Sequence, residues 1–265
     1  MIRTTRRAST PVRLIVMILG LLTAITAWWW VASSQPAYVL PGPADTWSAV
    51  VSQAREGHLW GPLATTLLRT VIGMAIAIVV GLAWGAVCAV ERWVDLFTKS
   101  WLSLLMAVPP IVIVVIGMLG FGPDAKVVVL VIVLVTIPLL TTTCRDAIAG
   151  VDLDLLEMAH VFGRSSMWRW CHVIVPSVAP PVLSAVTVAA GQSIRIAVMA
   201  ELLVTSTGLG AQMQRARVNL DTADVFAQAV VLALVALGID AIVLTPLRNR
   251  MARMGSNSST TKGMQ

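Results

Sequence analysis

Charge is scarce in this chain. Only 12% of its 265 residues are Asp, Glu, Lys or Arg, while 57% are hydrophobic by type. Soluble domains carry about 25% charge, so a water-facing surface of this size could not be covered. With a mean hydropathy of +0.85, lipid is the natural solvent. Acidic residues are the scarcer sign, 13 against 19 Lys and Arg, which leaves a net charge of +6. The basic residues cluster between hydrophobic runs, which fits membrane orientation and gives no nucleic-acid partner. Cysteine is limited to Cys88, Cys144 and Cys171. An odd number without metal-like spacing excludes a disulfide framework. His58, His160 and His172 are scattered, so no metal site is expected. No Ser/His/Asp or Cys/His constellation argues for an enzyme. Neither Lys99, Lys126 nor Lys262 follows the glycines of a phosphate-cradling Walker A loop. No cofactor is therefore expected on this chain. Internal repeats and the alternating pattern of an outer-membrane barrel are also missing.

What the chain does have is long apolar runs. A bilayer-crossing helix needs about 20 largely apolar residues. Six such runs are expected, at 12–32, 63–90, 100–120, 125–144, 177–204 and 225–247. The fold class is therefore all-α, a polytopic membrane helical bundle with six transmembrane helices in one domain over 11–254. The flanks are a cytoplasmic tail, 1–10, and a polar, disordered tail, 255–265. The first run follows Arg3, Arg6, Arg7 and Arg13 and ends in Trp28, Trp29 and Trp30. It reads as an uncleaved anchor with an aromatic belt at the outer face, against the competing reading of a cleaved signal peptide.

With the N-terminus inside, six spans also put the C-terminus inside. Thirteen of the 19 basic residues then fall on the cytoplasmic side. Only Arg55, Lys126, Arg215 and Arg217 fall outside, and Arg69 and Arg195 lie within spans. The bias supports this orientation. It makes the connection 145–176 cytoplasmic. Outside, "LPGPADTW" breaks the chain before a short amphipathic stretch, "TWSAVVSQAREG", expected along the outer surface.

Within 145–176, "DLDLLEMAHVFG" reads as a helix. Asp152 or Asp154 begins it, with acidic charge at the positive end of the dipole. Leu155, Met158, Ala159 and Phe162 recur near one side at helical spacing. Gly163 stops it in a left-handed conformation. A second piece, "SSMWRWCHVIV", leads to Pro176 and the fifth span. A short helix with an apolar surface, projecting from a membrane bundle, suits docking into a partner's groove. The competing reading is a helix lying on lipid, with Arg164 and Arg169 facing anionic headgroups.

Charges inside spans cost about 2.5–3.5 kcal/mol each on insertion scales, so they are functional suspects. Arg69, Arg195, Glu201 and Asp240 qualify. Arg69 could pair with Glu201 or Asp240, or snorkel outward. "AAGQSIR", with Gln192, Ser193 and Arg195, is small and polar and suits a cavity lining or a close helix contact. An arginine there would welcome an anionic substrate. Gly81-x-x-x-Gly85 points to close helix packing.

The cytoplasmic segment resembles the signature loop of bacterial binding-protein-dependent ABC importer permeases. That signature runs Glu-Ala-Ala, three residues, Gly, nine residues, then Ile-x-Leu-Pro. Here Glu157, Met158 and Ala159 precede Gly163 by the same spacing, and Val173, Ile174, Val175 and Pro176 close it. The likeness extends over about residues 39–250 and is strongest to the taurine, sulfonate and nitrate branch. "VLPGP", "TLLRTVIG", "AVPPI", "GFGPDAK", "AELL" and "TGLG" all resemble motifs of that branch. Departures cluster at 118–124, where Met118 and Leu119 replace Trp and Phe, and Pro123 replaces Glu.

The resemblance implies a type I ABC importer permease fold in the bacterial inner membrane. It implies a second permease copy, as a homodimer, and two cytoplasmic ABC ATPase subunits that use ATP and Mg. It also implies an extracytoplasmic substrate-binding protein that delivers a small, anionic solute. Asp154, Leu155, Glu157, Met158, Ala159, Phe162 and Gly163 would form the ATPase-coupling helix. Arg69, Gln192, Ser193, Arg195, Glu201 and Asp240 are the intramembrane or pathway candidates. The alternative function is a self-contained secondary transporter or channel. Such carriers usually show repeats or broken, charged midplane helices, and neither is evident.

Overall fold

A computed structural model describes residues 10–239 of the chain. Asp240, the end of the expected sixth span and both expected tails up to residue 9 and beyond residue 254 lie outside the described residues. Every regular element among those described is helical.

Three long helices form the centre: α3 (Trp60–Val90), α6 (Ala125–Ala149) and α9 (Val175–Val204). Around them come α1 (Thr10–Ser33), α2 (Pro43–Arg55), α4 (Arg92–Ala107), α5 (Pro110–Phe121), α10 (Leu209–Val218) and α11 (Thr222–Ile239). The short α7 (Leu153–Val161) and α8 (Ser166–Arg169) lie between α6 and α9.

Small residues on α3 let α6 approach closely. A Cβ on Gly81 would lie 2.9 Å from the Leu140 Cβ, and one on Gly85 would lie 2.7 Å from the Thr141 carbonyl oxygen. The expected Gly81–Gly85 packing role is thus met by α6. Thr141 Oγ1 donates to the Gly81 carbonyl at 3.2 Å and closes the seam. On its other side α6 packs against α5 and α9, where Val114, Val127, Val128, Val131, Ile132, Ala197 and Ala200 are fully enclosed. At the opposite end of α6, Arg145 bridges Asp95 of α4 at 3.0 Å and Asp146 at 2.7 Å.

Among the described residues, four helices are long and apolar enough to cross a membrane, or five if α4 and α5 count as one bent span, so the expected six are not all met there. The run 100–120 is therefore not a single straight helix. It breaks after Ala107, and α4 and α5 meet at 97°. The cause is Pro109 and Pro110. A residue before proline is pushed out of the helical region, and Val108 sits at φ −77°, ψ 123°. Proline also removes a backbone donor. With 12 residues, α5 reaches about 18 Å, short of a hydrocarbon core of about 30 Å. α1 covers the expected first run.

The expected second helical piece leads through Pro176 into the fifth span. The helix is continuous from Ser166 to Val204, 39 residues, with a π-helical turn at Trp170–Ile174. The "TWSAVVSQAREG" stretch does form a helix, α2, but it is packed on the bundle. Val50 joins Leu59, Leu209, Ala227 and Val231 in one cluster, and Thr46 and Gln53 are buried beside it.

Candidate functional site

The 153–163 segment folds as its sequence requires. Asp152 caps α7, its carboxylate accepting from the Asp154 N–H at 3.0 Å. Gly163 ends the helix with φ +67°. Its N–H reaches the His160 carbonyl at 2.9 Å and the Arg164 N–H reaches the Ala159 carbonyl at 3.0 Å. These paired bonds satisfy carbonyls that a helix end leaves open, and the positive φ favours glycine.

Of the expected coupling residues, only Ala159 turns inward; Asp154, Leu155, Glu157, Met158, Phe162 and Gly163 are exposed. Leu153 and Val161 add to the exposed apolar surface. Among the described residues Glu157 makes no salt bridge. Arg164 and Arg169 are engaged within the loop: the Arg164 guanidinium lies 5.0 Å from the Trp168 ring centroid, and Arg169 donates to Ser166 Oγ at 3.0 Å. Trp168 in turn stacks on His172 at 4.6 Å between ring centroids.

The intramembrane candidates separate into three places. Gln192 and Arg195 line a cavity of about 840 Å³ between α9, α10 and α11, with Thr187, Gly191 and Met213 beside them. Its far wall is apolar, built from Ala229, Leu232, Ala233, Ala236, Leu237 and Ile239. Ser193 points the other way. It is fully buried, with Oγ 3.5 Å from Thr136 Oγ1 and 3.6 Å from Met74 Sδ.

Arg69 and Glu201 meet each other away from that cavity. Of the expected alternatives for Arg69, the ion pair with Glu201 forms, at 2.6 Å, and the Glu201 side chain is 0% exposed. Thr66 Oγ1 donates to the same carboxylate at 2.7 Å and the Gly210 N–H does so at 3.2 Å. Arg69 also donates to the Thr207 carbonyl at 2.8 Å and to Thr207 Oγ1 at 2.7 Å.

Sequence reasoning missed Thr66, Thr207 and the helix α10. The available signal was "TLLR", which sets Thr66 and Arg69 three apart on one helix face. A second missed cluster is Gln53, Gln212 and Gln228, whose amides join α2, α10 and α11 at 3.0 and 3.1 Å. Nothing in a single-sequence hydropathy pattern marks it.

Residues 77–247 match the family described as binding-protein-dependent transport system inner membrane component. The chain is 28% identical over 211 residues to SsuC of Escherichia coli, a permease protein named for aliphatic sulfonates transport, covering 78% of this chain and 80% of SsuC. It is 26% identical over 248 residues to the taurine transport system permease protein TauC of Escherichia coli, covering 90% of each. A crystal structure of an amino acid ABC transporter with histidines superposes with a TM-score of 0.59 at 18% identity, over 71% of this chain and 92% of that one. That likeness concerns the fold. An all-helical bundle with several lipid-length helices, an exposed capped helix between two of them and a match across residues 77–247 agree on one assignment. The chain belongs to the binding-protein-dependent transport system inner membrane components, the permease subunits of ABC importers.

Proposed function

We propose that two copies of this chain form the pathway for a small anionic solute, driven by two separate ATPase subunits that bind α7. The observation that carries this reading is α7 itself. Nine residues are too few to hold a helix alone, and this one is capped at both ends while turning Leu153, Leu155, Met158, Val161 and Phe162 outward. Apolar side chains arrayed on a short projecting helix suit a groove on a partner. Glu157 among them supplies a charge for a basic residue in that groove.

The basic-residue bias puts α7 on the cytoplasmic side and α2 and α10 outside. ATP and Mg then belong to the ATPase, and the solute arrives on a binding protein at the α2–α10 side. ATPase closure would push α7, and α9 would carry the motion through the bilayer. Such a bundle is a two-state element biased by binding energy at one end.

The solute class rests on Arg195 and Gln192 in the α9–α11 cavity. A guanidinium facing a cavity with an otherwise apolar wall favours an anion. The names of SsuC and TauC, which concern sulfonates and taurine, point in the same direction. The test is co-purification of the ATPase with the permease. Glu157→Lys and Gly163→Pro should each lose it. Retention by both variants would overturn the docking role of α7.

A further inference from the structure

The proposed pathway leaves the Arg69–Glu201 cluster without a part. It is the most enclosed charged group among the described residues, with the Glu201 side chain 0% and that of Arg69 12% exposed. A buried carboxylate is tolerated when donors surround it. Glu201 has three: the Arg69 guanidinium, the Thr66 hydroxyl and the Gly210 N–H.

The donors and acceptors that complete the cluster come from one short stretch. Thr207 takes two bonds from Arg69. The Leu209 N–H donates to Thr66 Oγ1 at 2.9 Å. Gly208 sits at φ +107°, and a Cβ there would collide with the Glu201 carboxylate. A Cβ on Gly210 would collide with the Val198 carbonyl. The chain at 207–210 is therefore pressed onto the carboxylate as closely as backbone permits, and glycine makes this possible.

This stretch begins α10, and α10 brings Met213 to the same cavity that Gln192 and Arg195 line. Arg69 is on α3 and Glu201 is on α9, six residues from Arg195. Three helices are thus fastened at one point. The other end of the continuous 166–204 helix adjoins the α7 loop.

We infer that Arg69 and Glu201 are positioning residues that make α10 a rigid extension of α9, so that Met213 at the cavity follows motion imposed at α7. The inference rests on the pathway and coupling reading above. Without the clasp, α7 could still bind and move with the ATPase, but α10 would no longer follow. ATP hydrolysis and solute movement would then come apart.

The test uses the complete complex, in nanodiscs for labelling and in proteoliposomes for uptake, with Cys171→Ser and Met213→Cys in the permease. The label is a bulky, membrane-impermeant maleimide. With the clasp intact, the labelling rate should differ about fivefold between nucleotide-free and ATP–vanadate-trapped complexes, the lower end of usual coupling energies. Glu201→Gln keeps the side-chain shape and removes the charge. It should bring both rates to within about twofold of each other and cut uptake about tenfold, with ATPase binding and basal hydrolysis retained. Thr207→Val removes one bond at the exposed end of the clasp and should give an intermediate difference, which keeps the inference testable should Glu201→Gln fail to fold. Full nucleotide dependence and full uptake in Glu201→Gln, or in Thr207→Val where the first variant does not fold, would overturn it. So would a labelling rate indifferent to nucleotide in the parent complex. If that parent still binds ATPase and transports, only the clasp role falls. Loss of ATPase binding by the parent would instead remove the coupling reading beneath it.

Discussion

Truncating the exposed side chains of α7 should weaken ATPase binding by an amount set by their exposure. Phe162 is 74% exposed and Met158 is 55% exposed. Full burial of such a side chain is worth about 1.5–3 kcal/mol. Scaled by the share open to a partner, each would contribute roughly 1–2 kcal/mol on docking. Phe162→Ala and Met158→Ala should then each weaken binding by about 5- to 30-fold. Phe97, on α4, is 68% exposed and is expected to face lipid. Phe97→Ala has similar apolar loss but should leave the affinity unchanged. The assay is titration of purified ATPase onto the permease in nanodiscs by interferometry. If Phe162→Ala and Met158→Ala both bind within about twofold of the parent, the apolar surface of α7 is not the contact. If Phe97→Ala weakens binding equally, the effect is not specific to α7.

Three further outcomes follow from the same geometry. Asp152→Ala removes the α7 cap, costing about 1 kcal/mol of helix stability, and should reduce ATPase affinity about fivefold in the same titration. Gly85→Ala drives a methyl toward the Thr141 carbonyl and the Cys144 Cβ, an overpacking cost of about 1–3 kcal/mol that should lower the melting temperature in detergent; an unchanged melt would mean the α3–α6 seam yields easily. Arg195→Gln should reduce uptake of an anionic solute about tenfold at low concentration while Arg195→Lys retains more; equal uptake by the parent and Arg195→Gln would remove Arg195 from the pathway.

The parts of the fold that hydropathy can report were legible in the sequence. The long apolar helices α3, α6, α9 and α11 lie where the runs predict. The α7 cap and its glycine stop follow from local chemistry, since Asp152 and Gly163 act on their own neighbours. The α4–α5 bend was hidden because a window average sees only greasiness across 100–120. Pro109 and Pro110 were in view, but a proline pair can kink a span or break it, and packing decides. The clasp was half legible. Arg69 and Glu201 are rare charges in apolar runs, so pairing was an expected outcome. Thr66, Thr207 and α10 were not visible, because their bonds cross more than 130 residues of chain. Ser193 illustrates the limit within one motif: it adjoins Gln192, yet one helical step of about 100° turns it into the core while Gln192 faces the cavity.

Uptake into proteoliposomes tests the central claim most directly. The permease would be reconstituted alone, with its ATPase, and with ATPase plus binding protein, and accumulation of labelled taurine or an alkanesulfonate would be followed. Accumulation against a gradient should require ATP and all the components, and Gly163→Pro should abolish it. Solute movement by the permease alone, or full accumulation by the Gly163→Pro complex, would contradict the claim that this chain is a pathway moved by a separate motor through α7.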